Sequence, residues 1–284
     1  MFRRMVIAGV GLIGGSLALA VRKHGLVEEI IGFGRSEKNL RLAQRRGIID
    51  TYFNRVGEIP QGTDLLIFGT PVKATVSLAK SFLPGLEPGS LISDVGSVKA
   101  QIVREMDRLL PSQISFVGAH PIAGSEQWGA QAALPELFSG RRCILTPTRK
   151  TDPKPLKKMV QLWRRVGAQV EIMDPVLHDK VLGVVSHLPH VLAYALVNTL
   201  SRTKLDSVDL KDYCAGGFKD FTRIASSRPE IWRDICLLNR QAITKGMGNY
   251  IKRLEQLRKW VRDGKGDLLE MEFARANEVR RQIP

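Results

Sequence analysis

Cysteine is scarce in this chain. Its 284 residues include three, Cys143, Cys214 and Cys236, far apart and with no C-x-x-C pair. An odd, scattered set excludes a disulfide framework and a cysteine-rich zinc site, and it points to a reducing cytoplasm. Acidic residues are also short, 28 against 43 Lys plus Arg, which leaves a net charge of +15. Such an excess favours anionic partners in general. The densest basic stretch, Arg141 to Lys158, has no interleaved aromatics, so solvated helix faces account for it and nucleic acid is not expected as a partner. The composition is otherwise ordinary: 44% hydrophobic, 25% charged, 26 Gly and 14 Pro. That excludes a collagen, a disordered tail and a coiled-coil rod. At roughly 100–200 residues per domain, the length implies two domains, with enough core to need no staple.

Long hydrophobic runs are nearly absent. Met5 to Val21 carries no charge, lies between Arg3-Arg4 and Arg22-Lys23, and ends in Ala18-Leu19-Ala20. On pattern alone that is a signal peptide or a marginal membrane span. Four glycines, at 9, 11, 14 and 15, interrupt it, and nothing later is expected to cross a bilayer. The glycines have another use. Met5–Val10 forms a short buried strand, Gly9-Val10-Gly11-Leu12-Ile13-Gly14 is a G-x-G-x-x-G, and Ser16–Val21 starts a helix. In a dinucleotide turn Gly9 permits the tight bend, Gly11 the approach of a pyrophosphate, and Gly14 the packing of helix on strand. The phosphates then lie at the helix N-terminus. Leu12 and Ile13 belong to the same turn, and Thr70-Pro71, at a later strand's end, are assigned to the cofactor with them.

The second strand, Ile30–Gly34, ends without the acidic residue that holds the ribose hydroxyls of NAD. Gly34-Arg35-Ser36 stands there instead, a pattern that accommodates a 2′-phosphate and tips the expectation slightly toward NADP. The bland alternative is that Ser36 merely caps the helix Glu37–Arg46 while Arg35 is solvated.

Strands and helices then alternate. Strands are expected at 64–70, 90–95, 114–119, 143–147 and 169–174, with helices after the first two and between the last two. That rhythm implies an α/β doubly wound parallel sheet of Rossmann type. After Pro175 only helical patterns follow, at 181–200, 210–226, 231–261 and 268–280. The division is thus residues 1–174, a dinucleotide-binding domain, and 175–284, a helical domain.

Four later segments set polar residues in apolar surroundings: Asp94-Val95-Gly96-Ser97-Val98-Lys99, Gly118-Ala119-His120-Pro121-Ile122-Ala123-Gly124-Ser125-Glu126, Ser186-His187-Leu188-Pro189-His190, and Gly216-Gly217-Phe218-Lys219-Asp220-Phe221-Thr222-Arg223. With the glycine-rich turn, and in this order, they resemble the prephenate/arogenate (cyclohexadienyl) dehydrogenase family of tyrosine biosynthesis. The resemblance spans nearly the whole chain and argues against cleavage after Ala20, which would destroy the turn.

The resemblance implies oxidative decarboxylation of prephenate or arogenate, with hydride passing to NAD(P), in a cytoplasmic homodimer joined through the helical domain. It also implies roles. His120 takes the proton of the ring hydroxyl, which suits a side chain whose pKa lies near neutrality. Ser97 orients that hydroxyl and the histidine. Arg223 grips the ring carboxylate, as a non-titrating guanidinium can do bidentately. Asp220, three residues earlier, is placed to hold Arg223. His190 lies near the substrate side chain with His187 on the same face, and Pro189 between them is expected to kink the helix. Glu126 gates or hydrogen-bonds. No third ligand accompanies the histidine pair, so no metal is expected. The form implied is the minimal one, without a chorismate mutase or ACT domain.

A rival is a β-hydroxyacid dehydrogenase, which relies on a lysine in the first long helix of its second domain. Gly183 to Leu200 contains none.

Overall fold

A computed structural model describes residues 1–125, 127–205 and 208–283. Eight strands form one sheet: β1 (Phe2–Ala8), β2 (Val27–Phe33), β3 (Thr51–Phe53), β4 (Leu65–Phe68), β5 (Leu91–Asp94), β6 (Ser115–Pro121), β7 (Arg142–Thr146) and β8 (Gln169–Ile172). Their order is β3-β2-β1-β4-β5-β6-β7-β8. Five helices cover the two faces: α1 (Leu12–Lys23), α2 (Glu37–Arg45), α3 (Thr75–Phe82), α4 (Ala100–Leu109) and α5 (Pro153–Arg165).

The central strands are apolar on both faces, as a doubly covered sheet requires. Along β1, Met5 and Ile7 join one core with Leu17, Leu65, Ile67 and Trp163. Val6 and Ala8 join the other with Phe33, Phe68, Phe82 and Met106. Each large side chain buried this way contributes about 1.5–3 kcal/mol.

The sheet departs from the expected parallel arrangement at one seam. β6 and β7 run antiparallel, with His120 opposite Ile144. A parallel neighbour needs a crossover, usually a helix. Among the described residues between these strands the one helical element is a 3₁₀ turn, Ala130–Ala132, and the chain folds back. α5 then provides a crossover and β8 pairs parallel with β7. The short edge strand β3, three residues long, was not anticipated.

The remaining helices are α6 (Pro175–Leu182), α7 (Leu188–Arg202), α8 (Gly216–Thr222), α9 (Pro229–Leu238), α10 (Arg240–Arg262) and α11 (Gly266–Arg281). Asp174 caps α6, accepting from the N–H groups of Val176 and Leu177, with Pro175 at the first helical position. A π-helical turn, Gly183–His187, joins α6 to α7 just ahead of Pro189. The irregularity expected from Pro189 is thus a π turn within a helix that continues to Arg202. The expected helix at 231–261 is two, because Asn239 interrupts it.

The run Pro175–Arg202 corrects the expectation that nothing after Val21 is long and apolar enough to span a bilayer, for by length and composition it is. Its buried His178, Asp179 and His187 face protein, and its exposed residues include Val176, Leu177, Val184 and Val185. The core helix of a water-soluble protein passes the same test of length and composition.

Candidate active site

The chain leaves β1 toward β2 on one side and returns to β4 on the other. The crevice between β1 and β4 is the switch point where doubly wound folds bind ligands, beyond the carboxyl ends of the strands. Gly9–Gly14 and Gly69–Pro71 meet there. Gly9 has φ +99°, and a Cβ on it would lie 2.6 Å from the Gly69 carbonyl carbon. A Cβ on Gly14 would lie 2.3 Å from the Gly9 carbonyl oxygen. These glycines let strand, turn and helix touch. Gly11 differs, since a Cβ there would meet nothing within 4 Å.

Gly11 is the N-cap of α1 and offers no side-chain cap. The first-turn N–H groups of Leu12 and Ile13, at the positive end of the helix, are therefore left for an anion. Thr70 Oγ1, at the end of β4, is buried without a hydrogen-bond partner. Open space at Gly11, an uncapped helix start and an orphan hydroxyl fit a dinucleotide.

The second strand's end is less committed. Ser36 Oγ accepts from Asn39 N–H at 3.3 Å and caps α2, the helix-capping part of the bland alternative. Arg35 is exposed. Asn39 ties the turn to the loop after β6: its Nδ2 donates to the Val10 carbonyl at 2.7 Å, and its Oδ1 accepts from Ala130 N–H at 2.9 Å.

His120 lies near the end of β6, at the same sheet edge as Asp94 on β5 and the glycine turn after β1. Its Nδ1 is 2.9 Å from His178 Nε2 on α6. His178 Nδ1 is 2.8 Å from Asp179 Oδ1. Asp179 also accepts from the N–H groups of Lys99 at 2.8 Å and Ala100 at 2.9 Å, the start of α4. Lys99 is fully buried, paired with Asp94 and donating to the Ala119 carbonyl at 2.9 Å. Asp94 in turn accepts from the N–H groups of Gly96 at 3.0 Å and Ala119 at 3.1 Å. Loss of hydration, with His178, Lys99 and His187 adding repulsion, holds the His120 imidazolium well below the usual histidine range. The group is therefore neutral at pH 7, and its ionisation lies lower than the near-neutral value expected from sequence.

Ser97 is half-buried in the loop between β5 and α4. The hydrogen bond of His120 runs to His178 rather than to Ser97. His187 is buried, its Nδ1 3.0 Å from Asn239 Nδ2, while Asn239 Nδ2 also donates to the Asp179 carbonyl at 2.7 Å. Burial foremost pushes His187 down to about 4, against the opposing pull of Asp179. His190 Nδ1 donates to the Ser186 carbonyl at 2.9 Å, and its ring stacks on Trp232 with centroids 3.6 Å apart. Arg223 is exposed just past the end of α8. Asp220 is exposed on α8, and among the described residues no ion pair joins it to Arg223, which corrects the expected clasp. Arg223 starts a 3₁₀ turn there, so the i,i+3 spacing does not continue along one helix. Glu126 lies outside the described residues. Among the described residues no cluster could hold a metal ion.

Two family models match the chain: "Prephenate dehydrogenase, nucleotide-binding domain" over residues 17–172 and "Prephenate dehydrogenase, dimerization domain" over 174–275. The chain belongs to the prephenate dehydrogenase family. It is 36% identical to a prephenate dehydrogenase of Bacillus subtilis over 99% of this chain and 76% of that one. It is 32% identical to the cyclohexadienyl dehydrogenase of Zymomonas mobilis over 98% and 95%. A prephenate dehydrogenase from A. aeolicus, solved with hydroxyphenyl propionate and NAD+, superposes with TM-score 0.92 at 39% identity, covering 99% of this chain and 98% of that one. The arogenate dehydrogenase of Synechocystis gives 0.82 at 26% identity, covering 99% and 100%.

For this member of the prephenate dehydrogenase family, sequence reasoning missed His178, Asp179, Asn239, Trp232 and the pairing of Lys99. Of five histidines in the chain, four gather here, and His178 is the one outside any polar motif. The available signal was a His-Asp pair one turn into a Pro-started helix. The rival's lysine has a counterpart in Lys180, since the helix starts earlier than expected, but Lys180 is exposed while His178 and Asp179 are buried.

Proposed function

We infer that this chain oxidises prephenate, arogenate or both, with loss of the ring carboxylate as CO2 and aromatisation to 4-hydroxyphenylpyruvate or tyrosine. The observation that carries this is His120, a neutral imidazole hydrogen-bonded through Nδ1 at the sheet edge that holds the dinucleotide turn. His120 Nε2 takes the proton of the ring hydroxyl as the carbon bearing it becomes a carbonyl. A bound nicotinamide would supply the hydride acceptor. Arg223 holds the ring carboxylate until it leaves as CO2, when its bonding electrons complete the aromatic ring and the ring oxygen takes its proton back from His120. Ser97 orients the hydroxyl, and His190, His187, Asp220 and Glu126 surround the rest of the substrate.

Gly9, Gly11, Leu12, Ile13, Gly14, Thr70 and Pro71 would hold the dinucleotide, with Gly34, Arg35 and Ser36 at its adenosine ribose. The absence of an acidic side chain at Gly34 supports use of NADP at least as well as NAD. A tenfold or greater preference for NAD in kcat/KM would contradict that. The division at 174/175, a homodimer through the helical domain and a cytoplasmic location belong to the same reading.

The deciding experiment is a two-by-two assay of both substrates against both cofactors, following reduced nicotinamide and CO2 together. One CO2 per reduced nicotinamide with either substrate is expected. Reduction without CO2, or turnover only of simple β-hydroxyacids, would overturn the assignment.

A further inference from the structure

We propose that His178 and Asp179, on the first helix of the helical domain, are positioning residues that set the tautomer of His120 and so leave its Nε2 free to accept a proton. This deepens the function inferred above and rests on it for the catalytic consequence. The tautomer itself stands on geometry.

The argument starts at Asp179. Two of its three neighbours, the N–H groups of Lys99 and Ala100, are donors of fixed identity, at 2.8 and 2.9 Å. The third, His178 Nδ1, shares Oδ1 with Lys99 at 2.8 Å and meets an acceptor there. His178 therefore carries its hydrogen on Nδ1, and in the neutral ring Nε2 holds the lone pair. That lone pair is 2.9 Å from His120 Nδ1, so His120 donates from Nδ1 and its own lone pair lies on Nε2. A third group orienting a base is the arrangement that recurs in acid–base sites.

The chain of bonds is sealed, with His178 fully buried and Asp179 only 5% exposed. It is also braced across the domain junction. Asp179 belongs to α6 but fastens the start of α4, and Asn239 clasps the Asp179 carbonyl from the break between α9 and α10.

The state of His178 matters. If protonated, it would donate from Nε2 to His120 Nδ1 and move the His120 hydrogen to Nε2, removing the base without moving an atom of the backbone. The charged and titratable groups around the two rings are Lys99, Asp94, Asp179, His187 and Cys143.

Two measurements test this. Neutron diffraction of the deuterated holoenzyme at pH 7.5 should find deuterium on His120 Nδ1 and on His178 Nδ1, and none on His120 Nε2. Deuterium on His120 Nε2 overturns the proposal whatever the substrate proves to be, and the expected pattern in an enzyme inactive on both substrates would fault the functional reading alone. The second measurement compares variants. The amide of His178→Gln can accept from His120 while donating to Asp179, and His178→Phe can do neither. Where melting temperature and cofactor affinity are retained, His178→Phe should lose kcat by about 100-fold or more, and His178→Gln should stay within about fivefold. Equal losses in both variants, or a normal kcat in a folded His178→Phe, would overturn it.

Discussion

Arg223 lies exposed just past the end of a short helix, and the function inferred above gives it the ring carboxylate. Gripping a carboxylate there is worth the lower part of the range for a charge pair, about 2 kcal/mol. Arg223→Ala should accordingly raise substrate KM by roughly 30-fold and leave the cofactor's Kd unchanged. Steady-state kinetics with a cofactor titration checks it, and an unchanged KM in a folded variant would leave Arg223 a structural residue. His187 makes a different prediction. Its Nε2 is buried without a partner, and its folded-state pKa, about 4, lies below the unfolded value of 6.5. The unfolded chain therefore binds the proton first as pH falls. The stability concerned is full above 6.5 and is lost as pH drops toward 4, and His120 acts in the same sense. Denaturant midpoints should fall between pH 7.5 and pH 5, with His187→Asn removing part of the fall. Midpoints that do not move would contradict the burial of a neutral ring. Such single residues divide into two kinds. His120, His187, His190 and Arg223 were singled out because each lies in a motif, set in apolar surroundings, that resembles the family's. His178, Asp179 and Lys99 were not, because their meaning depends on α6, β6 and α4 meeting, a long-range event that no local pattern records.

At the scale of elements, α1 and its turn make the sharpest case. Gly14→Ala puts a methyl group 2.3 Å from the Gly9 carbonyl oxygen, so helix must part from strand. Overpacking of this kind costs about 1–3 kcal/mol, and both the denaturation midpoint and dinucleotide affinity should drop. Gly11→Ala meets open space, so it should leave the midpoint within about 0.5 kcal/mol while still weakening dinucleotide binding. Calorimetry and a cofactor titration on the two variants separate these effects, and identical behaviour would contradict the division of roles. The alternation of strand and helix was legible because a doubly covered sheet needs apolar strands and amphipathic helices in turn. The antiparallel β7 was not, because the loop before it has no crossover helix and its direction is set by where residues 122–141 pack. Nor was the break at Asn239, where a polar side chain is held by Asp179 and His187 rather than by its own helix.

At the scale of the whole molecule, the sheet region meets the helices through an apolar contact, Val72 and Val98 against Ile235, and through polar ones. Asp179 reaches from the helical side to the start of α4, Asn239 holds it, and His120 on β6 meets a histidine from the other side. The helical region leaves Val176, Val184, Val185, Met271 and Phe273 exposed, more apolar side chain than an isolated surface needs. Its match to a family model described as a dimerization domain supports a second copy as the cover. Light scattering at micromolar concentration should give twice 31.6 kDa, and a single chain mass at every concentration would remove the dimer.

The central claim is that a neutral His120 accepts the hydroxyl proton. The most direct test is the pH dependence of turnover in the wild type and in His120→Asn, with prephenate or arogenate, whichever is turned over. A positioned base contributes about 10²–10⁴-fold, so the folded variant should lose kcat by that order and keep substrate KM within a few-fold, the anchoring being assigned to Arg223. Wild-type activity should fall only below neutrality, because burial holds the imidazolium low, and the variant should lack that acid limb. A folded His120→Asn enzyme with near-normal kcat and an intact acid limb would contradict the account.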